Sequence, residues 1–208
     1  MSVPSLELFS RQLGLVLDHA DCKQAAIAGF SLGGMIARRF AQDCPQRAAA
    51  LAILFSPHRR SEDAQLAIIK RVEQARDVGP SATVEAALER WFTAECRASN
   101  PDLMDLVRKW VLANDPAVYH YIYRVLADGI DEIVAPNPAL SCPALVMTGD
   151  EDYGNSPEMS RAIAAEIPEA ELHILKGLRH MALAEDPHAF NTPLISFLKR
   201  VYEGSKAV

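Results

Sequence analysis

The spacing of apolar residues at the start of the chain predicts a helix and then a strand-helix-strand unit. Over positions 5–19 the apolar residues recur at intervals of three and four, which is typical of a helix with one buried face. Two short apolar runs follow at 24–29 and 49–55, and each has the length of a strand buried on both faces. Positions 33–44 predict a helix that ends before Pro45, so the two strands should be parallel.

The pattern changes between Pro57 and Pro138, where strand-like runs give way to successive amphipathic segments. Asn100-Pro101 and Asp115-Pro116 are typical of helix starts, because each places a capping side chain before a first-turn proline. We therefore predict an all-helical insertion at 57–138 that separates two core segments, 1–56 and 139–208. A helical repeat array is a weaker interpretation, since the segments differ in length and turn chemistry.

After the insertion the alternation of strands and helices resumes. Strands are predicted at 144–148 and 171–175, and helices at 157–167 and 186–202. The predicted fold class is α/β, with about four parallel strands, flanking helices and an inserted helical cap.

Composition excludes several classes of function. The chain has 21 Lys and Arg against 27 Asp and Glu and no basic block, which argues against nucleic-acid binding. No apolar run approaches the roughly 20 residues of a membrane helix, and the first residues lack a signal-peptide pattern, so we expect a soluble, cytoplasmic protein without membrane contact. The four cysteines are widely spaced, which predicts free thiols and no metal site.

Candidate chemistry begins at the turn Gly29-Phe30-Ser31-Leu32-Gly33-Gly34, between the first strand and the next helix. A serine in such a turn is held in a strained conformation at the carboxyl edge of the sheet, and flanking glycines avoid collisions with the packed strand and helix. The alternatives are a solvated turn serine or a phosphate-binding loop. The glycine spacing matches neither phosphate-binding motif, so we favour a nucleophile at Ser31.

A serine nucleophile needs a base and an orienting carboxylate. The strand at 144–148 is followed by a loop that contains Asp150, Glu151 and Asp152, and the strand at 171–175 is followed by a loop that contains His180. Parallel strands bring both loops to the same edge as Ser31. The order Ser, acid, His is the one expected for this architecture.

These segments resemble the α/β-hydrolases, and in particular the capped esterases and lactonases related to 3-oxoadipate enol-lactonase. The matching residues read GFSLGGMIARRFA, TGDEDYGNSPEMS and GLRHMALAEDPHAF, with a helical cap inserted after LAILFS. The resemblance implies that Ser31 attacks a carbonyl and that His180 transfers the proton. It assigns the acid to Asp152, three residues after Gly149, and one oxyanion N–H to Leu32.

The resemblance also implies a small ester or lactone substrate, an acyl-enzyme and no cofactor. Hydrolysis of a carbon-carbon bond in a diketone is an alternative, as is a non-catalytic binding protein of the same fold. For substrate contacts we name Phe30, Tyr119 and Tyr123, the two tyrosines because they lie off the main apolar stripe of the cap. His58, just after the second strand, would lie near the mouth of the site, although a loop histidine is more often solvated.

In this family the nucleophile strand is the fifth of eight, and a His-Gly loop after the third strand supplies a second oxyanion N–H. Here one predicted helix precedes the nucleophile strand, and the sequence contains no His-Gly pair. We therefore expect the sequence to begin inside a longer hydrolase and its nucleophile strand to lie at a sheet edge. An exposed edge invites pairing, so a homo-oligomer is a further expectation.

Overall fold

A computed structural model describes residues 3–204. The strands in this range are Ala25–Phe30 (β1), Ala48–Leu54 (β2), Ala144–Gly149 (β3) and Glu171–Leu175 (β4). The helices are Leu6–His19 (α1), Leu32–Asp43 (α2), Glu62–Asp77 (α3), Val84–Trp91 (α4), Ala94–Ser99 (α5), Pro101–Leu112 (α6), Pro116–Asp128 (α7), Pro157–Ala165 (α8), Ala182–Glu185 (α9) and Pro187–Gly204 (α10). Among these residues, none of the helices has the length and apolar content needed to cross a bilayer.

The four strands form one parallel sheet in the order β1-β2-β3-β4. This confirms the predicted fold class. Alternation along β2 divides the core, because Leu51 and Ile53 face a cluster with α1, α2 and α8, whereas Ala52 and Leu54 face α10. The sheet therefore lies between two helical layers and directs the carboxyl ends of its strands to one edge.

Burial differs between the central and the outer strands. Every residue of β3 is buried, as expected for a strand covered on both faces, but Ala28 in β1 and His173 in β4 are exposed. Within the described residues β1 pairs with β2 alone, so it lies at the sheet edge. The prediction that the first strand is buried on both faces is therefore wrong, because an edge strand has fewer neighbours to cover it.

The described elements between β2 and β3 are helical and sit over the carboxyl edge of the sheet. Helix α3 packs on α7, and α4 packs on α6. The apolar residues of α6 are buried only in part: Met104 and Val107 are buried, whereas Leu106 and Trp110 are exposed. Because α6 presents one narrow stripe to α4, the apolar residues on either side of it face solvent.

A buried ion pair between two core residues, Arg38 and Glu166, holds both ends of this helical cap. Arg38, on α2, is 1% exposed, and its guanidinium donates to a Glu166 carboxylate oxygen at 3.2 Å and to the Ile133 carbonyl at 2.8 Å. The other Glu166 oxygen lies 2.9 Å from His58 Nε2 and accepts from the Ala135 N–H at 2.8 Å. One carboxylate thus fixes the chain where it enters the cap and where it leaves it.

Candidate active site

The turn after β1 holds Ser31 in a conformation that few residues other than glycine adopt. Its φ is 54° and its ψ is −116°, and such strain persists only where the surrounding structure enforces it. A Cβ at Gly29 would lie 2.1 Å from the Gly33 carbonyl oxygen, and a Cβ at Gly34 would lie 2.5 Å from the Ser56 Cβ. These two glycines are therefore required by sterics, and Gly33, where a Cβ would meet open space, is not.

The loops after β3 and β4 are tied together beside this turn. A Cβ at Gly149 would lie 2.0 Å from the Leu178 carbonyl oxygen, so the two loops touch through their backbones. The Asp150 carboxylate accepts from the Gly177 N–H at 2.6 Å. Asp150, one of the three candidate acids, is thus occupied in holding the histidine loop. Glu151 instead pairs with Arg179 at 3.5 Å.

Ser31, His180 and Asp152 form a continuous hydrogen-bonded chain. The Ser31 Oγ lies 3.1 Å from His180 Nε2, and His180 Nδ1 lies 2.7 Å from the Asp152 Oδ2. Asp152 and His180 are buried, at 2% and 7% exposure. This arrangement can transfer a proton from the serine to the imidazole while the carboxylate stabilises the imidazolium. Leu32, the first residue of α2, directly follows the serine.

Asn155 supports this chain and is absent from the sequence-based predictions. Its side-chain amide donates to the Phe55 carbonyl at 2.8 Å, and its backbone N–H donates to the Asp152 Oδ1 at 3.0 Å. The Gly154 N–H donates to the same oxygen. The spacing Asp-x-Gly-Asn indicates a tight turn that returns to its own aspartate, and this was the available signal.

The chain is similar to several known proteins and to one protein family. The family model described as "Serine aminopeptidase, S33" matches residues 1–187. The chain belongs to this family. It has the α/β-hydrolase fold, and it is similar to enol-lactonases.

Curated relatives of this hydrolase share about a quarter of its residues. A 2-((N-methylformamido)methylene)succinate hydrolase of Acinetobacter baylyi is 27% identical over 83% of the chain and 64% of its own length. The 3-oxoadipate enol-lactonase 2 of the same organism is 24% identical over 89% of the chain and 67% of its own length. The chain thus spans about two thirds of the length of these relatives.

Solved structures share the fold. The enol-lactonase of Burkholderia xenovorans superposes with a TM-score of 0.85, at 24% identity, over 94% of this chain and 74% of that one. A thermophilic esterase of Thermogutta terrifontis gives 0.84, also at 24% identity, over 96% of this chain and 74% of that one.

A cavity of about 100 Å³ opens beside Ser31 and His180, small for a ligand pocket. Tyr123 and Trp91 line it. Trp91 also contacts the His180 ring at 6.2 Å between centroids, and its carbonyl accepts from the Met181 N–H at 2.9 Å. The cap therefore rests directly on the histidine loop.

The other residues named as substrate contacts lie outside the lining of this cavity. The Phe30 ring packs 5.0 Å from the His180 ring, behind the site. The Tyr119 hydroxyl contacts Thr83 Oγ1 at 3.2 Å, and burial raises the pKa of this phenol above its ordinary value. His58 contacts Glu166 where the chain enters the cap, and it does not line the cavity.

Three arginines from the cap also line the cavity of this hydrolase: Arg60, Arg71 and Arg90. The sequence-based reasoning missed them. Arg60 precedes α3, whereas the other two lie on α3 and α4. Arginines on amphipathic helices ordinarily face solvent, so these residues carried no sequence signal that separated them from surface charge.

Proposed function

We propose that this chain hydrolyses a carboxylic ester or lactone through an acyl-enzyme formed on Ser31. The observation that carries the proposal is the unbroken hydrogen-bonded path from the Ser31 hydroxyl through His180 to Asp152, with contacts of 3.1 and 2.7 Å. A serine needs such a base to become a nucleophile at neutral pH.

In the first half of the reaction, the Ser31 Oγ attacks the carbonyl carbon while His180 Nε2 accepts the hydroxyl proton. The carbonyl oxygen becomes an oxyanion, and the Leu32 N–H at the start of α2 donates to it. When the tetrahedral intermediate collapses, the carbon-oxygen bond of the ester breaks. His180 returns its proton to the departing alkoxide, and the acyl group stays on Ser31.

In the second half, water attacks the acyl carbon and gives one proton to His180. The bond between the acyl carbon and the Ser31 Oγ then breaks, His180 returns the proton to the serine oxygen, and the carboxylic acid leaves. Asp152 holds the imidazole with Nε2 facing the serine, and it stabilises the imidazolium in both halves. Its second oxygen accepts the N–H groups of Gly154 and Asn155, each at 3.0 Å. These bonds hold the carboxylate in place beside the imidazole.

The names of the relatives support a small substrate. One acts on an enol-lactone, and another is a hydrolase of a substituted succinate. The small cavity beside Ser31 is consistent with substrates of this size. We therefore assign small-molecule esters and lactones rather than polymers or peptides.

The test combines hydrolysis with covalent labelling. We expect the wild type to hydrolyse p-nitrophenyl acetate and an enol-lactone and to react with a fluorophosphonate probe. Ser31→Ala and His180→Ala should abolish both. Matched controls are Ser81→Ala and His19→Ala, since both side chains are exposed and distant in sequence from the site. Hydrolysis or labelling that persists in Ser31→Ala would remove the serine from the mechanism.

A further inference from the structure

The three arginines on the cavity wall share that wall with the nucleophile and the base. Arg60, Arg71, Arg90, Ser31 and His180 all line one space of about 100 Å³. An ester whose carbonyl lies at the serine must therefore have its remaining atoms close to guanidinium groups. The three side chains are neither fully exposed nor fully buried.

No carboxylate within residues 3–204 forms an ion pair with any of these three arginines. Arg60 donates to the Leu126 carbonyl at 3.1 Å and contacts the Gln65 amide oxygen at 3.5 Å. Arg71 donates to the Ala67 carbonyl at 3.2 Å. These partners are neutral, so the positive charges are left uncompensated.

Among the described residues that line the cavity, the one carboxylate is that of Asp152, and it already has hydrogen-bond partners. Asp152 accepts from His180 and from two backbone N–H groups. Three of its roughly four acceptor sites are therefore taken, and pairing with a guanidinium would weaken its hold on the imidazole.

Without a bound anion, keeping the positive charges of these three arginines partly buried in one cavity costs free energy. Burial and the neighbouring Arg71 lower the pKa of Arg60 to about 10. Burial and the neighbouring Arg90 likewise lower the pKa of Arg71. With a pKa of about 10, Arg60 still carries its charge at neutral pH. Partly buried charges in proteins are normally paired, and this cluster lies in a chain whose net charge is −6.

We propose that Arg60, Arg71 and Arg90 bind a free carboxylate on the substrate, so that the chain selects acidic esters or lactones over neutral ones. The inference rests on the proposed function, because it places the scissile carbonyl at Ser31. Arginine suits this task because its planar fork meets a carboxylate with two parallel hydrogen bonds. Arg71 lies on α3 in the cavity wall, and we assign it the largest share of this selectivity.

Hydrolysis of two matched esters tests the selectivity. Monomethyl glutarate carries a free carboxylate, dimethyl glutarate does not, and a pH-stat follows acid release from both. We expect kcat/KM to favour the acidic ester by about tenfold or more, as for hydrogen bonds to charged groups. Arg71→Met should reduce that ratio by about tenfold, and Arg71→Lys should reduce it less.

The control is Arg124→Met, which removes the same charge from an exposed cap residue that pairs with Asp128. It should leave the ratio of the two esters unchanged. A ratio near one in the wild type, or an equal fall in Arg71→Met and Arg124→Met, would overturn the proposal.

Binding without turnover separates this proposal from the proposed function. Calorimetric titration of Ser31→Ala with glutarate and with its neutral diamide should show preference for glutarate, and adding Arg71→Met should weaken glutarate binding by about tenfold. If glutarate binds in this way but no ester is hydrolysed, the proposed function fails and the anion site stands. If Ser31-dependent hydrolysis is found with equal affinity for glutarate and the diamide, the anion site fails and the proposed function stands.

Discussion

Substitution of Glu166 tests how much its carboxylate stabilises the two places where the chain enters and leaves the cap. Glu166→Ala leaves the Arg38 guanidinium, 1% exposed, without its counter-charge. It also removes the acceptor for the Ala135 N–H and the partner of His58. Two neutral acceptors remain for Arg38, the carbonyls of Pro57 and Ile133.

The expected cost follows from burial. Breaking a buried ion pair by removing one partner costs about 3–5 kcal/mol. The Glu166 side chain is 17% exposed, so water can partly replace it, and we expect the lower end, about 3 kcal/mol. For a chain of this size, that corresponds to a fall in Tm of about 6–12 °C.

Urea unfolding followed by circular dichroism measures this change. Glu73→Ala is the control, because Glu73 is an exposed glutamate on α3, and it should stay within about 0.5 kcal/mol of the wild type. The double variant Arg38→Met with Glu166→Gln should be less destabilised than Glu166→Ala, because no buried charge is left unpaired. If Glu166→Ala were as stable as Glu73→Ala, the ion pair would not stabilise the places where the chain enters and leaves the cap.

Two further substitutions test the site. Gly34→Ala should destabilise the fold by about 1–3 kcal/mol and reduce hydrolysis, because its methyl group would collide with Ser56. Gly33→Ala is the control and should be tolerated, because a methyl group there would meet open space. Equal losses of stability in urea unfolding of the two variants would contradict this. Asn155→Ala should lower kcat by about 10- to 100-fold with little change in KM, because the amide that anchors the acid loop to the Phe55 carbonyl is lost. Asn191→Ala, at an exposed position of α10, is its control, and a wild-type kcat for Asn155→Ala would show that the anchor is dispensable.

Much of the core could be predicted from local patterns. The strand Glu171–Leu175 has the predicted bounds, and the other three differ from the predicted ones by a residue or two. Short apolar runs bounded by polar turns have few alternative structures, and parallel strands joined by helices have a single favoured handedness. These rules also place the loops that carry Ser31, Asp152 and His180 at one edge, where the structure brings the three side chains into contact.

The packing of the cap could not be predicted in the same way. Trp91 and Trp110 occupy equivalent places in two amphipathic helices, yet Trp91 contacts the histidine ring and Trp110 is exposed. A helical pattern identifies an apolar stripe but not the neighbour that covers it. That choice depends on how α3, α4, α6 and α7 pack over the sheet edge.

By itself the sequence determined the fold class, the positions of the strands along the chain, and the loops that carry the candidate nucleophile, acid and base. These follow from periodicity and from loop position, which are properties of neighbouring residues. Only the tertiary structure decided which glycines of the turn are needed, that Asn155 anchors the acid loop, and that Arg60, Arg71 and Arg90 converge on one cavity. Their convergence depends on distances between residues far apart along the chain, and each guanidinium alone is indistinguishable from a solvated surface charge.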